Sequence, residues 1–148
     1  MTTLKDIENF VEDNQEICDA GQPATDELIE NAERYLDVQF PDDYRAFLKR
    51  WGTLSIGPLE FYGICKPDFV NSSLPDAIWF TKRKRQQLGL PKELVILYDN
   101  NGAEYFCLDT SAAENSPVVA WDIHLKKIRA IKAESLFEFL LKEVADYT

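Results

Sequence analysis

Three aspartates in the second half of the chain each follow an apolar run of strand length. Asp99, Asp109 and Asp122 end these runs. Two carboxylates held close together can perform acid–base chemistry or bind a divalent metal. Successive strands of a meander run in opposite directions, so Asp99 and Asp109 should lie at opposite ends of their hairpin. The pattern therefore favours aspartates that form turns and end strands over a paired catalytic or metal site.

Other nucleophiles and bases are sparse. His124 is the single histidine, and it lies in a predicted turn. The three cysteines, Cys18, Cys65 and Cys107, form no CxxC pair, which indicates free buried thiols in a reducing cytosol. The chain contains no P-loop, GxGxxG, HExxH or GxSxG motif. We therefore expect a protein that is not an enzyme and has no cofactor or metal, with a carboxylate-based hydrolase as an alternative.

A basic run, Lys82-Arg83-Lys84-Arg85, follows the aromatic pair Trp79-Phe80. Four consecutive residues of a helix point in different directions, so this run predicts a solvated helix face rather than one phosphate-binding patch. The two aromatic rings cannot easily both face inward from one helix. Either one of them is exposed and anchors a protein contact, or both are buried against different elements.

Charge and length limit the possible partners. The 148 residues predict one domain over 1–148, and 26 acidic against 16 basic residues give a net charge of -10. This charge disfavours direct binding to nucleic acid or to an anionic membrane and suits a basic partner, although solubility alone also explains it. The N-terminus lacks the form of a signal peptide, and no run approaches the roughly 18 apolar residues that cross a bilayer, so we expect a cytoplasmic protein.

Apolar residues three and four positions apart predict five helices. Thr25 is the expected N-cap of the second helix, with Asp26 and Glu27 in its first turn. Pro41 suits the first position of the third helix, and Gly52 suits its C-terminal cap. The predicted helices cover residues 3–17, begin at Thr25, run from Phe40-Pro41 to Gly52, run from Pro75 to Leu88 with Ser73 or Leu74 near the start, and begin at Ser135.

The remaining apolar runs predict strands. Asp99-Asn100-Asn101-Gly102 is a strong hairpin turn signal, because Asn and Gly tolerate positive φ. Loops are expected at residues 66–74 and from Thr110 to Ser116. The predicted strands are one or two between Leu54 and Ile64, then Leu94–Tyr98, Ala103–Asp109, Pro117–Asp122 and an edge strand at Lys127–Ile131.

The stretch from Pro23 to Gly52, read with the later turn and the last helix, resembles the SUKH superfamily. This group includes the yeast cell-wall glucan-synthesis regulator and many bacterial immunity proteins. The likeness spans about residues 23–145, and it departs from the family at Trp51-Gly52-Thr53, where an Asn-Gly-Gly-like end is common. The matching positions are Leu28, Leu36, Phe40, Pro41, Tyr44, Phe47, Leu48, Gly52, the turn 99–102, Leu108-Asp109 and residues 135–140.

The resemblance implies an α+β fold, with helices packed mainly on one side of a largely antiparallel sheet. It implies a cytoplasmic immunity protein that binds a cognate toxin, often a basic nuclease domain, and neutralises it by steric and electrostatic occlusion. A regulatory protein-interaction scaffold is the alternative. The family brings no catalytic residue set. We expect the partner to bind the sheet and its rim at Tyr62, Trp79, Asp99, Glu104, Tyr105, Trp121 and Asp122.

Overall fold

The computed structural model describes residues 1–111 and 117–147, so most of the predicted loop at 110–116 lies outside the described residues. Within them the fold is α+β, as predicted, with five α-helices and two antiparallel sheets. The helices are α1 (Leu4–Asp13), α2 (Asp26–Leu36), α3 (Asp42–Trp51), α4 (Ala77–Leu88) and α5 (Leu136–Tyr147). The strands are β1 (Cys18–Ala20), β2 (Leu54–Ile56), β3 (Leu59–Phe61), β4 (Leu94–Asn100), β5 (Glu104–Asp109), β6 (Val118–Asp122) and β7 (Lys127–Ala133).

Capping residues fix where the helices begin and end. The hydroxyl of Thr25 accepts a hydrogen bond from the Leu28 amide at 3.1 Å, as its predicted role requires. Gly52 ends α3 with a φ of 75°, a conformation that favours glycine. Pro41 is the residue before the first turn of α3 rather than within it, and Asp76, not Ser73 or Leu74, caps α4.

The N-terminal segment differs from its prediction as one helix over residues 3–17. α1 ends at Asp13, a short 3₁₀ turn covers Gln15–Ile17, and the chain then enters β1. β1 pairs with β2, and β2 pairs with β3, in an antiparallel sheet of order β1-β2-β3. A strand of three residues is too short to show an alternating pattern in the sequence. β1 is formed by its pairing with β2, which the sequence does not reveal.

The second sheet is the predicted meander, of order β4-β5-β6-β7. Positive φ at Asn101 (56°) and Gly102 (76°) makes the predicted turn between β4 and β5. At the outer edge of β4, the Tyr62 amide donates to the Leu97 carbonyl at 2.8 Å, and the Ile96 amide donates to the Thr81 hydroxyl at 3.0 Å. These contacts cover one edge of the sheet and join it to the end of β3 and to α4.

Helices cover both faces of the four-stranded sheet, whereas the sequence predicted helices mainly on one side. Phe80 of α4 packs edge-on against Tyr105 at 5.5 Å between ring centroids, and Phe139 of α5 packs edge-on against Phe106 at 5.5 Å. Because adjacent residues of a strand point to opposite faces, α4 and α5 lie on opposite sides of β5. No helix within the described residues is long and apolar enough to cross a membrane.

Beside the end of α3, the backbones of three chain segments pack directly against one another. The Ile64 amide donates to the Gly52 carbonyl at 3.1 Å. A Cβ atom on Gly63 would lie 1.7 Å from that same carbonyl oxygen, and one on Gly52 would lie 2.0 Å from the Gln22 carbonyl oxygen. Glycine is therefore required at both positions so that the backbones can approach.

We expect Gly63→Ala to lower the free energy of unfolding by about 3 kcal/mol or more, because the methyl group overlaps backbone that cannot move aside. Gly89→Ala is the control: its Cβ would meet open space, so only the positive φ of 70° contributes, at about 1–2 kcal/mol. Urea unfolding of the two variants measures the difference. A Gly63→Ala cost no larger than that of Gly89→Ala would contradict the close approach.

Candidate interaction surface

The sheet brings most of the predicted partner-binding residues to one end. Asp99 lies opposite Tyr105, and Tyr105 lies opposite Trp121, in one row across three strands. Glu104 and Asp122 lie opposite each other in the next row. We call the end of the sheet formed by these five residues, together with Tyr62 and Trp79, the rim surface.

Tyr62 and Trp79 both pack against the ring of Phe80. Phe80 packs against Tyr62 at 5.8 Å and against Trp79 at 6.1 Å between ring centroids. Phe80 itself is buried, whereas Trp79 is half-buried and lies under the Arg83 guanidinium at 5.5 Å. Trp79 is therefore the aromatic residue of the predicted pair that keeps a face toward solvent.

Three aromatic members of the rim surface are core residues by burial. Tyr62 is 5% exposed, Tyr105 is 4% exposed and Trp121 is 1% exposed. Trp121 stacks on Tyr105 at 6.3 Å. Burial raises the pKa of Tyr105 to about 12, with the Asp99 charge adding to the effect. These three rings pack beneath the rim surface, and they expose little area that a partner could contact.

The carboxylates of the predicted aspartate set form turns, as the sequence indicated. Asp99 accepts from the Gly102 amide at 2.9 Å, and Asp109 accepts from the Ser111 amide at 3.0 Å. Asp109 lies opposite Leu94, at the other end of the hairpin from Asp99. The prediction that these two carboxylates are separated is confirmed.

Asp122 closes the turn between β6 and β7. One of its carboxylate oxygens accepts from the His124 amide at 2.9 Å and from the Leu125 amide at 2.7 Å. Arg129 lies 3.7 Å from the carboxylates of both Asp122 and Glu104. Arg129 is half-exposed and both distances are long for an ion pair, so these contacts contribute little stability and Arg129 is held only loosely over the two acids.

The remaining chemical candidates are accounted for by packing. Arg85 donates to the Leu36 carbonyl at 2.6 Å, and Lys82 lies 5.0 Å from the Tyr35 ring, so the basic run ties α4 to α2 and does not form one patch. All three cysteines are free, but only Cys107 is buried, since Cys18 is half-buried and Cys65 is exposed. The described residues contain no group of three or more side chains that could hold a metal ion.

Sequence reasoning missed an apolar strip formed by β7 and the turn before it. Leu125, Ile128 and Ile131 are 63%, 45% and 65% exposed. Ile128 lies opposite Trp121 and Ile131 lies opposite Val119, so both isoleucines share the Trp121 face of the sheet. Their spacing of three would place them on opposite faces of a regular strand. Irregular register between β6 and β7 aligns them, and this cannot be read from the sequence.

The family model SUKH_5, described as SMI1-KNR4 cell-wall, matches residues 6–145 of this chain. The chain belongs to the SUKH_5 family. The match includes both sheets, the rim surface and β7, and it confirms the resemblance seen in the sequence.

The SUKH_5 fold is also seen in a crystal structure of a protein from Pseudomonas syringae pv. tomato. The two structures superpose with a TM-score of 0.69, at 18% sequence identity over 90% of this chain and 95% of the other. At this identity the likeness shows the shared fold. SUKH proteins are generally non-catalytic.

The Asp122 turn has a pH dependence that can be measured. The hydrogen bond from the Leu125 amide is the main cause that lowers the pKa of this carboxyl, helped by the His124 amide and Arg129. A carboxyl whose folded pKa is lowered stabilises the protein above its unfolded pKa, about 3.9, and this stability is lost as the pH falls through the folded pKa.

We therefore expect Asp122→Asn to lower the Tm at pH 7, with the gap to the wild type narrowing at pH 3. Circular dichroism at both values measures it. Asp13→Asn, at the exposed end of α1, is the matched control and should change the Tm little at either pH. An Asp122→Asn deficit of equal size at both values would show that the charge of the carboxylate is not what stabilises the turn.

Proposed function

We propose that this protein is a cytoplasmic immunity protein that binds a cognate toxin domain and blocks it by occlusion. The observation that carries the proposal is the SUKH_5 match over residues 6–145, because SUKH proteins are commonly immunity proteins. A net charge of -10 suits a basic partner. A nuclease toxin fits this chemistry, since its nucleic-acid site needs positive charge, and an acidic protein can cover that site.

The rim surface and β7 offer the contacts that such an interface needs. Exposed apolar residues grouped beside polar ones are typical of protein–protein contact sites. Ile128 and Ile131, with Leu125 in the turn before β7, supply the apolar strip on the Trp121 face, and the carboxylates of Glu104 and Asp122 lie on the opposite face at the same end of the sheet. We assign the toxin contact to this strip together with the accessible parts of the rim surface.

The outer edge of β7 strengthens this assignment. β7 pairs with β6 on one side, and within residues 1–111 and 117–147 no strand pairs with its other side. An open edge presents unpaired backbone N–H and C=O groups, to which an extended segment of another protein can add as a strand.

The description of the matching family as SMI1-KNR4 cell-wall supports a second candidate, a regulatory scaffold that binds other proteins. The two functions predict different partners. A toxin encoded beside this gene should be the principal partner of an immunity protein. A scaffold should instead assemble with proteins of cell-wall synthesis and give no protection against that toxin.

Co-expression with the neighbouring toxin tests the proposal, with cell survival and complex formation on size exclusion as readouts. We expect Ile131→Asp to weaken binding at least tenfold, about 1.4 kcal/mol, because it places a carboxylate on the apolar strip. The stability of the free protein should fall by only about 1 kcal/mol, because the position is exposed and the cost is that of aspartate in place of isoleucine in a strand.

Val70→Asp is the matched control, because Val70 is 66% exposed and lies in the loop before α4, away from the sheet. It should bind the toxin like the wild type. Equal weakening by both variants would remove the β7 strip from the interface. Absence of both protection and a complex in the wild type would remove the immunity function itself.

A further inference from the structure

A groove of about 980 Å³ lies where the N-terminal ends of α1, α3 and α5 meet. No part of the rim surface or of the β7 strip lines it. The lining residues come from three segments far apart in sequence. They are residues 1–4 with Asp6, then Asp42, Asp43 and Ala46, then Glu134, Ser135, Phe137, Glu138 and Leu141.

The groove combines an apolar floor with acidic walls. Leu4, Ala46, Phe137 and Leu141 supply apolar surface. Five of the lining residues are acidic, and among the described lining residues there is no lysine, arginine or histidine. The acidic residues are Asp6, Asp42, Asp43, Glu134 and Glu138.

Helix capping explains part of this acidity. Asp6 accepts from the Thr3 amide at 2.7 Å, which closes the capping box of α1. Glu138 accepts from the Glu134 amide at 3.2 Å at the start of α5. Carboxylates at helix N-terminal ends are stabilised by the local backbone N–H groups, so the acidic cluster alone does not indicate a ligand.

Asp43 is different because capping leaves it half satisfied. It is 6% exposed, and its Oδ2 accepts from the Leu136 amide at 3.0 Å. Its Oδ1 is buried without a hydrogen-bond partner within the described residues. Burial raises the pKa of this carboxyl, and the backbone amides of Leu136, Tyr44 and Asp43 itself oppose the rise, although of these three only the Leu136 amide makes a hydrogen bond with it. A buried acceptor left without a donor is costly and rare in folded proteins.

We propose that this groove binds a basic amphipathic segment of a partner protein. Its apolar side chains cover Leu4, Ala46 and Phe137, and a lysine or arginine pairs with the accessible carboxylates beside Asp43. An ammonium or guanidinium group there offsets the charge of the Asp43 carboxylate, whose buried Oδ1 has no hydrogen-bond partner among the described residues, and the apolar stem of either side chain matches the floor.

Other ligand classes fit the groove less well. Nucleic acid and anionic lipid are repelled by the five carboxylates of the lining. A metal ion needs several ligands converging on one point, and no such group occurs in the described part of the chain. That the basic segment belongs to a toxin rests on the proposed function, whereas the groove's preference for such a segment does not.

The test is an NMR titration of the ¹⁵N-labelled full chain with a 12-residue helical peptide of leucine and lysine. We expect saturable shifts of the Ala46, Phe137 and neighbouring groove amides, with the Ile128 and Ile131 amides unmoved. The same peptide with glutamate in place of lysine should give no saturable shifts. This readout needs no toxin, so it can fail or succeed independently of the survival assay.

Two double variants distinguish binding in the groove from attraction to the overall negative charge of the protein. Asp42→Asn with Asp43→Asn should weaken the lysine peptide at least tenfold, while Glu12→Gln with Asp13→Asn removes the same charge from the other end of α1 and should change affinity less than about twofold. The carboxamide oxygen introduced by Asp43→Asn can still accept from the Leu136 amide, and a melting curve checks that the first pair remains folded.

Ala46→Lys is a second route that leaves Asp43 in place. It puts an ammonium group into the groove from the half-buried floor, and it should compete with the peptide and weaken its binding at least tenfold. Equal weakening by the two charge-neutralising pairs, or shifts spread over the whole acidic surface, would show general electrostatic attraction only. Either result overturns the proposal.

Discussion

One fully buried carboxylate, that of Asp76, holds the middle of the chain together. Its Oδ1 accepts from the Ile78 and Trp79 amides at 2.9 and 3.0 Å, and its Oδ2 accepts from the Ser72 hydroxyl at 2.8 Å and the Cys65 amide at 3.4 Å. Burial raises the pKa of this carboxyl, and these hydrogen bonds oppose the rise. A buried carboxylate is tolerated because nearly all of its acceptor capacity is used.

The position of α4, and with it the rim surface, follows from that interaction. Asp76 fixes the first turn of α4 against the segment that leaves β3. From there Phe80 reaches Tyr105, Thr81 reaches the edge of β4, and Arg85 reaches the end of α2. The four-stranded sheet, the segment that leaves β3 and α2 are thus all tied to α4, a helix whose start is set by one side chain. Loss of the Asp76 carboxylate would leave four donors unpaired and would release the rings that support the rim.

Asp43 shows the opposite solution at another helix start. Both aspartates are buried near the first turn of a helix, yet Asp76 has partners for both oxygens and Asp43 for only one. Sites kept for binding commonly retain groups that are unfavourable in the free protein, because the partner completes them. Asp43, with one oxygen unpaired among the described residues beside a groove, therefore suits a binding site, whereas Asp76, with both oxygens paired, stabilises the fold.

Local features of this protein were determined by the sequence alone. The Thr25 cap, the turn at Asn101 and Gly102, and the buried face with Tyr44 and Phe47 depend on residues within a few positions of one another. Backbone sterics, capping hydrogen bonds and apolar periodicity act at that range. Together with the order of the elements, they were enough to indicate an α+β fold.

Tertiary structure decided the surfaces. The burial of Trp121, the shared face of Ile128 and Ile131, and the three-helix groove around Asp43 all arise from contacts between distant segments. A strand irregularity that shifts the register by one residue changes which side chains are exposed, and it leaves no local mark. Side chains that meet only after the helices pack have no common pattern along the chain, because their proximity is set by the packing of the core.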